Sequence, residues 1–305
     1  MIVRGRHFAF DAPESEAGVG TLFYAADDER MEEARLTGEV PPIDEPPRPT
    51  VLIMPGINVA PDGYRWLAVR LVEAGNCAVT YSTIGELGPA GVGITPGLDM
   101  TALAPGVVGT RCSASAINPL LVALADVGSD VCDLAAVSLV GHSAGGTVAL
   151  HNTNPAWIPG LRSVAVYGAH TMTATALGHG ETAVVAVPSA VPVLLVCGGS
   201  DAVIAASRDR YRSDEGEHNP VRRTFDEAID RHDDDSYLIE LVDGNHFTMC
   251  DPIDETTGRA FLEPDLRGDD VEARDLLADI ICTFVDGQTL DGFADHGGVQ
   301  NFTRR

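Results

Sequence analysis

Six stretches of this chain are apolar almost without interruption: TVLIMPG (50–56), CAVTYST (77–83), AVSLVGHS (136–143), SVAVYGA (163–169), PVLLVCGG (192–199) and SYLIELVDG (236–244). A strand with one face in water alternates apolar and polar residues, so a strand that is apolar throughout must be covered on both faces. Between these runs lie segments with helical spacing, among them YRWLAVRLVEAG (64–75), the second half of 110–128 and GGTVALHNTN (145–154). DVEARDLLADIICTFVDG (270–287) closes the series as an amphipathic helix. Strand and helix in alternation predict an α/β fold with a mostly parallel central sheet and helices on both faces.

The flanks are read by the same signals. HFAF (7–10) and VGTLFYAA (19–26) are short, aromatic or β-branched, and predict strands in the segment 1–49. EVPPIDEPPRPT (39–50) is a proline-rich surface connection. A Gly/Pro-rich loop is expected from about Ile84 to Gly106, and residues 287–305 are expected as a tail after a core of 50–286. Nothing in the pattern divides the chain, so 1–305 is expected as a single domain without a large cap.

Composition narrows the partners. The formal net charge is −25, and the 20 basic residues are all arginine because the sequence contains no lysine. Such a surface repels phosphate backbones and anionic lipid, which argues against nucleic-acid binding. It equally suits a salt-tolerant surface and a codon bias that replaces lysine by arginine. The six cysteines show neither zinc-like spacing nor a C-x-x-C pair, so no metal and no cofactor are expected and the thiols should be reduced. No apolar run reaches the ~20 residues of a membrane-spanning helix. With no signal-peptide pattern at the start, a cytoplasmic location is expected, a processed secreted form being the alternative.

Within VSLVGHSAGGTVAL, Ser143 stands between Gly141 and Gly145, after a strand and before a helix. A turn this tight brings backbone and Cβ atoms together, so glycines are needed on either side and the serine oxygen is lifted clear of the sheet. The competing reading is a glycine bend with an inert serine. A serine hydroxyl is a poor nucleophile until a base removes its proton, and the base needs an acid to set its tautomer. VLLVCGGSD places Asp201 just beyond one strand, and LIELVDGNHF places His246 just beyond the next. Both would reach the rim at the carboxyl ends of the strands, where Ser143 already stands.

Other residues compete for these roles. His142 is expected to pack or to hydrogen-bond locally, and His218 and His232 lie in charged, solvated segments. His170 ends a strand but precedes Asp201, whereas His7, His151, His179 and His296 lack a strand-end position. Asp243 and Asp251 flank His246 and are weaker candidates for the acid. A developing oxyanion needs two backbone N–H donors. Ala144, directly after the serine, and Ile57, in the Pro-Gly-Ile turn after the first apolar strand, are the candidates. Tyr64, Trp66 and His170 are candidate substrate-lining residues, with core packing the competing reading for the two aromatics.

Taken together, Pro55-Gly56-Ile57, GYRWLAVRLVEAGNCAV, GHSAGG, GGSD and GNHF resemble the α/β-hydrolase superfamily over roughly 50–286. The resemblance is to the branch of chlorophyllases, PET (polyester) hydrolases and dienelactone hydrolases. It implies Ser143 as nucleophile, Asp201 as acid, His246 as base, and Ile57 and Ala144 as oxyanion donors. Serine stands where dienelactone hydrolases proper carry cysteine, and there is no His-Gly-Gly-Gly turn. The activity implied is hydrolysis of a small carboxylic ester or thioester through an acyl-enzyme. The alternatives are a non-hydrolytic enzyme (an acyltransferase, cyclase or lyase) or a ligand-binding protein on the same scaffold. Met100 and Leu98, in the loop 84–109, are the residues expected to wall off water in the non-hydrolytic case. The segments 171–189 and 205–235 are expected to help shape the entrance.

Overall fold

The computed structural model describes residues 1–305 except 14, 16, 39, 88–90, 173–176, 182, 209–218, 231–232, 234, 258–259 and 264–270. His218 and His232 therefore lie outside the described residues, as does part of each entrance segment. The elements in chain order are β1 (Ile2–Phe10), β2 (Gly18–Ala26), α1 (Met31–Thr37), β3 (Arg48–Met54), α2 (Arg65–Glu73), β4 (Cys77–Glu86) and β5 (Val92–Thr95). They continue with α3 (Ile117–Val127), β6 (Cys132–His142), α4 (Ala144–His151), β7 (Leu161–Tyr167), β8 (Val193–Gly198), α5 (Ala202–Arg208) and α6 (Pro220–Arg223). β9 (Tyr237–Leu241), α7 (Val271–Val285) and β10 (Val299–Arg304) complete the chain.

Among the described residues the strands form one ten-stranded sheet, ordered β1-β2-β4-β3-β6-β7-β8-β9-β10, with β5 paired to β4 off this path. The six strands expected from the apolar runs are its parallel centre. β1, β2, β5 and β10 join antiparallel around it.

The continuous apolar strands feed two cores, because successive side chains point to opposite faces. Leu52 and Met54 of β3, Val164 and Val166 of β7, and Leu195 of β8 pack with Ile117, Leu120 and Leu124 of α3 and Val148 of α4. Their neighbours Val51, Ile53, Ala165, Leu194 and Val196 face the other way, onto Leu67 and Leu71 of α2 and Leu277, Ile280, Ile281 and Phe284 of α7. Burying each of these larger side chains is worth roughly 1.5–3 kcal/mol, so both helix layers are fixed by the alternation along the strands.

Two expectations are corrected, and one element is added. Residues 287–305 are not a tail: β10 pairs antiparallel with β9 from Val299↔Leu241 to Arg304↔Tyr237. The loop expected over 84–106 contains the end of β4, the strand β5 folded back on it from Thr83↔Thr95 to Glu86↔Val92, and a short 3-10 turn at Met100–Leu103. Within it Met100 is exposed and Leu98 packs on the core. The helix α1 was not anticipated, since its sequence MEEARLT carries little apolar periodicity.

Register decides what meets at the rim. Met54↔Gly141, His142↔Tyr167 and Gly198↔Leu241 align the carboxyl ends of neighbouring strands. The turn at Pro55–Gly56, Ser143, Gly168, Asp201 and His246 all follow those ends.

Candidate active site

Ser143 has φ +52° and ψ −120°, a conformation that L-residues avoid at a cost of about 1–3 kcal/mol. Its own backbone helps to hold it there. The Ser143 N–H donates to Tyr167 O at 3.0 Å, and the Thr147 N–H donates to Ser143 O at 3.0 Å. The flanking glycines are required by space. A Cβ on Gly145 would lie 2.4 Å from Met54 O, and one on Gly141 would lie 2.5 Å from Gly146 Cα.

The Ser143 Oγ–H donates to His246 Nε2 at 2.9 Å. His246 Nδ1 lies 2.9 Å from Asp201 Oδ2. An ionised carboxylate only accepts, so Nδ1 carries the proton and Nε2 is left as the basic nitrogen. The other oxygen of Asp201 accepts from the Ile204 N–H at 2.8 Å, which fixes the carboxylate plane. Both Asp201 and His246 are buried, in keeping with an ion pair shielded from water when the imidazole is charged. Of the competing acids, Asp243 is exposed, and Asp251 is exposed and paired with Arg274 at 3.5 Å.

The loop carrying His246 is tightly tied. Tyr167 Oη donates to Asn245 O at 2.6 Å, the Asn245 N–H donates to Thr248 Oγ1 at 2.8 Å, and the Phe247 N–H donates to Asn245 Oδ1 at 2.7 Å. Beneath it, Gly168 has φ +59°, and a Cβ there would come within 2.9 Å of His246 Nδ1 and 3.0 Å of Asp201 Oδ2.

His142 bonds across the molecule rather than locally. Among the described residues the acceptor at its Nε2 is His246 O, at 2.9 Å, and a carbonyl only accepts, so Nε2 carries the proton. Its Nδ1 then accepts from Tyr64 Oη at 2.8 Å, and that oxygen in turn accepts from the Gly56 N–H at 2.9 Å. One neutral imidazole thus links the turn after β3 to the backbone of His246. Burial, with the nearby His246 imidazole, pushes the His142 pKa down to about 3. Tyr64 has no exposed surface and its hydroxyl is engaged in this chain. Complete burial corrects the expectation that it lines a substrate pocket.

Trp66 is half-buried on α2, its indole N–H donating to Met249 O at 3.0 Å, with Arg274 over its ring. His170 is half-buried beyond β7, and its carbonyl accepts from Thr147 Oγ1 at 2.9 Å. Among the described residues no hydrogen bond uses the N–H of Ile57 or that of Ala144. Ile57 is exposed in the turn after β3, and Ala144 is the first residue of α4. No group of three or more histidine, cysteine or acidic side chains among the described residues has the arrangement of a metal site.

Glu263 was not anticipated from the sequence. It is buried beside this assembly, and burial pushes its carboxyl above the ordinary range while the His246 N–H bond pulls it back. Its stretch, AFLEPDLR, has no pattern that separates this carboxylate from the chain's other 44 acidic residues.

No model of a known protein family matches this chain, and no curated protein sequence matches it. A solved structure of a ferulic acid esterase from Streptomyces cinnamoneus is similar to it, with a TM-score of 0.56 over 94% of this chain and 89% of that one. The two sequences are 17% identical, so the likeness concerns the fold. With its mostly parallel sheet, helices on both faces and a serine turn between β6 and α4, the chain has the α/β-hydrolase fold.

Proposed function

We propose that this protein is a serine hydrolase that cleaves carboxylic esters or thioesters through an acyl-enzyme. The observation that carries the reading is the unbroken series from Ser143 Oγ through His246 to Asp201, with both heavy-atom distances at 2.9 Å. His246 takes the hydroxyl proton as Ser143 attacks the acyl carbon, and Asp201 stabilises the imidazolium that forms. The carbonyl oxygen becomes an oxyanion, for which the N–H groups of Ile57 and Ala144 are the donors in this reading. Each such donor is worth about 2.7–4 kcal/mol in the transition state.

His246 then returns its proton to the leaving alcohol or thiol. Water, activated by the same imidazole, attacks the acyl-enzyme, and Ser143 is regenerated. The strained backbone at Ser143 supports this assignment, since such conformations persist where surrounding structure over-determines them. That a protein of the same fold is named a ferulic acid esterase agrees with ester chemistry. Trp66 and His170 are the side chains proposed to touch the substrate.

A fluorophosphonate probe should label the wild type and fail to label Ser143→Ala. The same substitution should lower kcat on p-nitrophenyl esters by about 10⁴-fold or more with the fold intact. Equal labelling of both proteins, or turnover surviving the substitution, would overturn the reading.

A further inference from the structure

The acid and the base of the proposed hydrolase sit on different loops, Asp201 after β8 and His246 after β9. Their side chains must meet with a precision of a few tenths of an ångström for the 2.9 Å bond between them to persist. Hydrogen bonding within each loop fixes that loop alone. One backbone bond, from the Ser200 N–H to Gly244 O at 3.0 Å, ties the two loops where they leave the sheet, and the residues that carry the side chains lie beyond it.

Glu263 bridges them directly. Its Oε1 accepts from the His246 N–H at 3.1 Å and from the Ala202 N–H at 3.2 Å, with Oε2 also 3.4 Å from Ala202 N. The two donors are the backbone of the base itself and of the residue next to the acid. Glu263 is 6% exposed, so these bonds are shielded from competing water. It reaches the site from the 3-10 turn Ala260–Leu262, where its own N–H donates to Ala260 O at 3.1 Å. An apolar residue at 263 would leave both loop N–H groups without this acceptor, the costly case for buried donors.

We propose that Glu263 is a positioning residue, whose carboxylate locks the Asp201 loop to the His246 loop through the N–H groups of Ala202 and His246. It touches neither the reacting serine oxygen nor the side chain of the base, and it acts through their backbone. The proposal rests on the reading of Ser143, His246 and Asp201 as the catalytic residues.

Two substitutions of similar length separate geometry from bulk. Glu263→Met fills the space without an acceptor, whereas Glu263→Gln keeps one acceptor oxygen. The readouts are kcat and KM on a p-nitrophenyl ester, and the low-field proton resonance of the His246–Asp201 hydrogen bond. Glu263→Met should lower kcat about tenfold or more, with KM little changed, and weaken or abolish the resonance. Glu263→Gln should restore the resonance and most of kcat. A Met variant with wild-type kcat and resonance, or a Gln variant no better than the Met variant, would overturn the proposal. Should Glu263→Met not fold, Glu263→Asp, one methylene shorter, takes its place under the same criteria. A wild type inert toward esters and unlabelled by the phosphonate would sink the hydrolase reading instead, and the resonance would then decide the role of Glu263.

Discussion

His142 stands next to the proposed nucleophile and never touches it. Its imidazole sits between Tyr64 Oη and His246 O and is fully buried, so adding a proton would place an uncompensated charge in the core. The folded protein protonates this group only near pH 3, whereas an unfolded chain does so near its ordinary value of 6.5. Between those limits the unfolded state binds the extra proton, so stability rises with pH and is lost as pH falls from 6.5. At pH 5 the loss from His142 alone is about 2 kcal/mol. His151, pushed down to about 4 by burial, contributes in the same direction. Urea unfolding at pH 7 and pH 5 should therefore show a smaller pH-dependent loss for His142→Asn than for the wild type. An identical loss in both proteins would remove His142 as its source.

At the level of elements, the strand β10 closes the edge of the sheet that positions His246. It covers β9, and Arg305, just beyond it, exchanges two backbone bonds with Ser236, at 3.0 and 2.8 Å. The Arg305 guanidinium adds bonds to Phe225 O at 2.9 Å and Asp226 O at 3.1 Å. Removing residues 299–305 strips these bonds and exposes the part of β9 that Phe302 covers. The cost should be about 3 kcal/mol, read as a lower urea midpoint. A truncated protein as stable as the full chain would show that β9 holds its place without a partner on that edge. The helices α2 and α7 are joined by Arg70, which bonds Asp275 at 2.8 Å and Asp279 at 2.7 Å. The i,i+4 spacing of the two aspartates on α7 lets one guanidinium reach both. Because the cluster is partly exposed, its worth is below about 1 kcal/mol.

For the whole molecule the dominant long-range term is charge. A formal charge of −25 on 305 residues makes the compact state repel itself, and salt screens that repulsion. Raising NaCl from 0.05 to 1 M should stabilise the fold by ~1–2 kcal/mol, or roughly 1.5–3 °C in Tm for a chain of this size. A Tm that does not move over this range would show that the arginine pairs already neutralise the repulsion locally.

Much of this architecture is written in local pattern. Continuous apolar runs report strands buried on both faces because burial depends on side-chain chemistry alone. Gly141 and Gly145 report a sharp turn because nothing larger fits against the backbone there. These local rules were enough to place Ser143, Asp201 and His246 at strand ends. The strand β10 and the helix α1 escaped, since polar edge strands and short polar helices lack that periodicity. Glu263 and the bridge from Gly56 through Tyr64 and His142 to His246 escaped for a different reason. Their meaning lies in contacts between residues 8 to 104 positions apart along the chain. A carboxylate becomes a clamp, and a histidine a strut, only when the sheet register brings distant loops within hydrogen-bond reach. Chemistry confined to neighbouring residues is visible in one dimension, and chemistry that depends on chain crossing is settled by packing in three.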